Sequence, residues 1–185
     1  MRKAGLQGCI RGRRKRTTRR DERAVPAPDL VARNFAASAP DKVWTAHITY
    51  YLSTREGFAY LAFILDVYSR RVVGWSMAHH LRAELVIDAL EMALRRGEPD
   101  EAGLVHHSDR GVQCTSLPFA KRLEEAGIVP SMGRAGSALD NATCESFVAS
   151  LKCELLCGHR FSSREAARIA IFFDYVEGFY SSTTG

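Results

Sequence analysis

The sequence predicts an α/β domain in which a five-stranded mixed sheet carries helices on both faces. Three observations point there. Residues 43–78 alternate apolar and polar, or run almost continuously apolar, between short turns. After residue 80 the apolar spacing changes from every second residue to every third and fourth. Short apolar runs then return between helical segments, as they do where strands are joined by helical crossovers.

Val43 opens the first strand, with Trp44, Ala46, Ile48 and Tyr50 on one face and Thr45, His47 and Thr49 on the other. Glu56-Gly57 offers a turn, and Phe58 to Asp66 (FAYLAFILD) suits a strand buried on both faces. Ser69-Arg70 turns the chain into a third strand, Arg71 to Ala78, which His79-His80 ends, so the first three strands form an antiparallel meander. Leu81, Leu85, Ala89, Leu90, Ala93 and Leu94 recur at helical spacing until Gly97 and Pro99. Leu104 to His107 reads as a fourth strand. Ser116 to Ala126 reads as a helix closed by Gly127 and capped by Thr115 or Ser116, and Ile128 to Met132 as a fifth strand. Past the loop Gly133 to Ser137, Asp140 or Asn141 is placed to cap a long helix to about Leu156, and a last helix spans about Ser163 to Phe179. Right-handed crossovers set the fourth strand beside the first and the fifth beyond it. This is the ribonuclease-H-like arrangement. Trp44 and Trp75 fall where core residues belong.

The 185 residues, 46% hydrophobic and 25% charged, suit one soluble globular domain with a tail. No apolar run approaches the ~20 residues of a membrane span. The basic start lacks the apolar stretch of a secretory signal, so the expectation is a cytoplasmic protein associated with the nucleoid. Five cysteines without such a signal argue against a disulfide framework. Cys153 and Cys157, with His159 nearby, lack a second ligand pair for zinc and read as reduced thiols. The net charge of +5 is uneven: residues 1–23 hold a balance of +8 and the remainder −3. A run containing Arg11, Arg13, Arg14, Lys15, Arg16, Arg19 and Arg20 cannot pack into a core and suits phosphate neutralisation. The division expected is therefore a DNA-contacting arm over 1–23, a proline-containing linker over 24–41, a core over 42–180 and a short tail over 181–185.

The chemistry should gather where the middle of strand one, the end of strand four and the long helix converge. Strand four ends in His106-His107-Ser108-Asp109-Arg110-Gly111, and carboxyl ends of strands are usual places for functional groups. On the long helix Asn141, Glu145 and Lys152 share a face. Carboxylates delivered from separate elements suit Mg²⁺ or Mn²⁺, which prefer oxygen ligands, and a pair of such ions supports in-line phosphoryl transfer. Lys152 is placed to hold a DNA phosphate, with Arg110 and Asn141 assisting. His106 and His107 read as structural, one toward the core and one toward the site edge.

Asp109 and Glu145 enclose 35 residues. That spacing, with the strings HHSDRGVQCTS, AGIVPSMGRAGSALDNATCESFVASLKCEL and FILDVYSRRVVGW, resembles bacterial insertion-sequence transposases with an integrase-type (DDE) core, and retroviral integrases more distantly. The resemblance runs from about Pro26 to Tyr180. It implies a metal-dependent polynucleotidyl transferase that cleaves and joins DNA, with two Mg²⁺ or Mn²⁺ ions, Asp109 and Glu145 as ligands, transposon ends and target DNA as partners, and homo-oligomeric assembly. It also implies that residues 1–23 are the remnant of an upstream DNA-binding region and that the chain is clipped at both ends. One position departs. Strand one in the family reads W-x-x-D-I-T-Y and here reads Trp44-Thr45-Ala46-His47-Ile48-Thr49-Tyr50, so His47 stands at the place of the first catalytic aspartate. An imidazole offers one nitrogen, suits softer ions and cannot bridge two. The expectation is a retained fold with impaired or absent activity. Asp66 rescuing the site, His47 serving a Mn²⁺ or Zn²⁺ site, and a catalytically inactive DNA-binding or oligomerising fragment are the alternatives. A ribonuclease-H-type nuclease is disfavoured because no fourth carboxylate stands in a late loop.

Overall fold

The computed structural model describes residues 26–97, 103–111, 113–134, 138–157 and 159–180. The basic arm with Arg13, Arg14, Lys15 and Arg16, the thiol of Cys9, most of the 133–137 loop and the tail 181–185 lie outside the described residues.

Strands β1 (Val43–Thr54), β2 (Gly57–Asp66), β3 (Val72–Ala78), β4 (Val105–Ser108) and β5 (Val129–Met132) form one sheet in the order β3-β2-β1-β4-β5. The meander β1–β2–β3 is antiparallel, and β4 and β5 add in parallel with β1. This is the mixed five-stranded sheet that the apolar pattern predicts.

Helices α1 (Ala83–Arg96) and α2 (Leu117–Glu125) cover one face. They bury Leu85, Ala89, Leu90, Phe119 and Leu123 against Trp44, Ala46, Ile48 and Ile64. Gly74 lets α1 lie directly on β3: a Cβ there would stand 2.2 Å from the Ala89 carbonyl oxygen. On the other face are α3 (Ala142–Leu151), continued in wider π-type turns over Lys152–Leu156, and α4 (Arg164–Ile169), continued likewise over Ala170–Tyr180. Their Phe147, Val148, Leu151, Ile171 and Phe172 pack on Leu61, Phe63, Leu65 and Trp75. Strict alternation along β1 would put Leu52 with Trp44 and Ile48. A bulge between Thr49 and Leu52 shifts the register, and Leu52 joins the opposite core.

Three local readings change. Ser116 precedes α2, but its hydroxyl donates to the Gln113 carbonyl and that of Thr115 to the Gly111 carbonyl, so both tighten the preceding turn. Asn141 precedes α3 without capping it. The segment read as a linker is packed from residue 26: Met132 N–H donates to the Pro28 carbonyl, Leu30 N–H donates to Ser131 Oγ, and Val31 is buried. It forms a strap along the outer edge of β5, which sequence periodicity could not signal because no periodic element is present.

Candidate active site

The sheet register gathers the site. Ala46 of β1 pairs with Ser108, the last residue of β4, so Asp109 leaves the sheet beside His47. Asn141, at the start of α3, donates its amide N–H to the Ala46 carbonyl over 2.9 Å. That brace sets the first turn of α3, which carries Glu145, over the middle of β1. Glu145 Oε1 stands 4.0 Å from His47 Nδ1. Glu145 and Asp109 both act electrostatically on His47, so the three residues face a common region where β1, the end of β4 and α3 meet.

His47 is mostly enclosed, its ring tilted against Phe63 at 5.8 Å, and its Nδ1 is buried without a hydrogen-bond partner. Burial pushes its pKa below the ordinary histidine value. The Glu145 and Asp109 carboxylates pull it upward less strongly, and Lys152 lowers it further. At neutral pH the ring is therefore uncharged. Asp109 Oδ1 accepts the Gly111 N–H at 3.0 Å. Lys152 is exposed on the π-type turns after α3, close enough to act on His47 electrostatically. Arg110 Nε donates to the Gly133 carbonyl, bracing the loop after β5. Asn141 is 3% exposed, so its role in the fold is the brace to β1. Cys144 lies under the site with its thiol donating to Thr45 Oγ1, and burial pushes its pKa up to about 12. It stays a protonated thiol, unsuited to ligate metal.

Asp66 cannot replace the missing carboxylate. It pairs with Trp44, three residues along β1 from His47, which is roughly 10 Å at the strand rise. Its oxygens accept from Asp41 N–H, Ser69 N–H and Ser69 Oγ–H at 3.0, 2.7 and 2.6 Å. His106 and His107 are both buried. His106 stacks edge-on against Phe119 in the α1/α2 core, while His107 bonds Ser131 Oγ and the Asp140 carbonyl. The expected site-edge position for one of them does not occur.

A pair of Mg²⁺ ions needs carboxylate oxygens that bridge. Here one position presents a single neutral imidazole nitrogen. Among the described residues, no three His, Cys, Asp or Glu side chains are gathered closely enough to hold an ion. The donor set as it stands does not fit a Mg²⁺ pair.

Residues 37–138 match the family model described as integrase core domain. The chain belongs to this integrase core family. It is 42% identical over 167 residues to the transposase for insertion sequence element IS629 of Shigella sonnei, covering 90% of this chain and 54% of that protein. It is also 42% identical over 154 residues to transposase InsF for insertion sequence IS3A of Escherichia coli, covering 83% of this chain and 52% of that protein. The chain thus spans about half the length of these curated relatives. Among solved structures, the simian T-cell lymphotropic virus intasome superposes with a TM-score of 0.59 at 14% identity, covering 89% of this chain and 52% of that one. The HTLV-2 integrase catalytic core domain in complex with magnesium superposes at 0.54 and 16% identity, covering 80% of this chain and 85% of that one. These likenesses establish the shared ribonuclease-H-like fold of integrase catalytic cores. No helix among the described residues is long and apolar enough to cross a membrane.

Sequence reasoning missed Asp140 as a hub and Arg33 as its partner. Asp140 is 2% exposed and accepts from Arg33 Nε and from the backbone and guanidinium of Arg134. Its only sequence signal was an acidic residue beside a helix start, which reads equally well as a cap.

Proposed function

We propose that this chain is the catalytic core of an insertion-sequence transposase, built for metal-dependent DNA end cleavage and strand transfer and impaired in this copy at its first ligand position. The observation that carries the reading is the convergence of Asp109 and Glu145 on His47, with an imidazole nitrogen 4.0 Å from Glu145 where the family pattern has a carboxylate. Mg²⁺ or Mn²⁺ is the cofactor such a core uses. With His47 in place the chain's own groups bind DNA rather than transform it. Lys152 meets a backbone phosphate beside the site, Arg110 holds the loop that frames it, and the arm with Arg13, Arg14, Lys15 and Arg16 supplies salt-dependent affinity. The partners are transposon-end and target DNA and further copies of the chain.

The second reading, a catalytically inactive DNA-binding or oligomerising protein, is favoured by the same histidine. Joining of a labelled transposon-end duplex to target DNA, with Mg²⁺, separates them. The impaired-core reading expects no product from the natural chain and product from His47→Asp. Product from the natural chain at the variant's rate overturns the impairment, and no product from either supports the second reading.

A further inference from the structure

We infer that Asp140 is a positioning residue that sets the Glu145 helix against the sheet, and that Arg33 of the strap holds it in place, so the segment preceding β1 shapes the site. Asp140 lies in the short turn Ala138–Asn141, immediately before α3. Its carboxylate is buried and held from two sides. Oδ1 accepts from Arg33 Nε at 2.6 Å, and Oδ2 accepts from Arg134 N–H and Nε at 3.0 and 2.9 Å. Its carbonyl accepts from His107 Nε2 at 2.7 Å, tying the same residue to β4. The next residue, Asn141, bonds the Ala46 carbonyl, beside His47. Two consecutive residues therefore fasten the start of α3 to the strap, the loop after β5, β4 and β1. Glu145 follows one turn later.

Charge-assisted bonds to a buried carboxylate are strong and directional. Gly133 packs so closely that a Cβ there would stand 2.8 Å from Asp140 Cβ, leaving the hub little room to move. Arg33 reaches it across 107 residues of sequence. Arg33, Asp140 and Glu145 all lie outside the stretch 37–138 that matches the family model. Arg33 and Arg134 are exposed where they meet the buried carboxylate, so solvent and DNA can reach both guanidiniums. The strap is itself anchored by Leu30 N–H on Ser131 Oγ, and the same hydroxyl bonds His107 Nδ1. Displacement of the strap thus acts on Asp140 through Arg33 directly and through His107.

This inference deepens the same site and rests on Glu145 being a site residue, but its test requires no catalysis. The His47 ring, 4.0 Å from Glu145, reports where α3 sits. Ring chemical shifts of His47 at fixed pH and backbone amide exchange are compared for the natural chain, Asp140→Asn, Arg33→Gln and Arg33→Lys. The expected result is that Asp140→Asn and Arg33→Gln move the His47 signals and speed exchange about ten-fold or more over residues 142–148. Amides of α1 and β2 should keep their protection, and Arg33→Lys should stay close to the natural chain. Unmoved His47 signals with a uniform rise in exchange would reduce Asp140 to an ordinary stability element and overturn the inference. If Asp140→Asn does not fold, Arg33→Gln on the exposed strap decides alone: a folded variant with natural His47 signals overturns it. Failure of strand transfer in His47→Asp would count against the transposase reading and leave these measurements as they are.

Discussion

Replacing His106 with leucine should flatten the acid side of the stability profile. His106 is 1% exposed in the α1/α2 core, edge-on to Phe119, with no partner for Nε2. Burial, with a smaller contribution from His107, lowers its pKa from 6.5 to about 4. In the unfolded chain the ring takes up a proton below about pH 6.5; in the folded chain it resists until about 4. Between those values the unfolded state binds more protons, so stability is fully present above pH 6.5 and is lost as pH falls toward 4. The complete loss is about 3 kcal/mol, of which about 2 has accrued by pH 5. Leucine carries no proton and fills similar space beside a small cavity lined by Ala46, Ile48, Ala89 and Phe119. Urea unfolding at pH 7.5 and pH 5.0 should give two chains of similar stability at the higher pH. At the lower pH the variant should lead by about 2 kcal/mol, or roughly 4–8 °C in melting temperature for a domain of this size. Parallel pH profiles for the two chains would show that His106 is not the group responsible.

Other expectations follow from the same geometry. Gly74→Ala forces a methyl into the Ala89 carbonyl and should cost about 2–4 kcal/mol, read as a lowered melting temperature, because α1 must lift from β3. Asp66→Asn should lose about 1–3 kcal/mol by leaving one of its three donors mismatched, yet leave divalent-ion binding by His47→Asp unchanged in calorimetry. Lys152→Ala should weaken binding of duplex DNA independently of sequence and reduce the salt slope of the affinity by about 1, as measured by anisotropy.

The fold was legible because the apolar spacing changes period where elements change. FAYLAFILD, nine residues bounded by turn signals, suits a strand buried over most of its length, and Leu85, Ala89, Leu90 and Ala93 fall on one helix face. Positions decided by the third dimension were not legible. The bulge that moves Leu52 between cores has no glycine or proline to mark it. The strap carries no period, and its order comes from bonds to Ser131, Met132 and Asp140, about a hundred residues away. In the site, Asp109 and Glu145 were singled out through the spacing they share with the family. That Asn141 points inward to Ala46, and that Asp66 is held by Ser69 and Asp41, depended on register and side-chain direction.

Calorimetric titration of Mg²⁺ into the natural chain, His47→Asp, and His47→Asp with Asp109→Asn tests most directly whether one imidazole disables the site. The expected result is saturable binding only by His47→Asp, abolished when Asp109 is also changed, because only that variant supplies a carboxylate at the position of His47 alongside Asp109 and Glu145. Equal, saturable Mg²⁺ binding by the natural chain would contradict it.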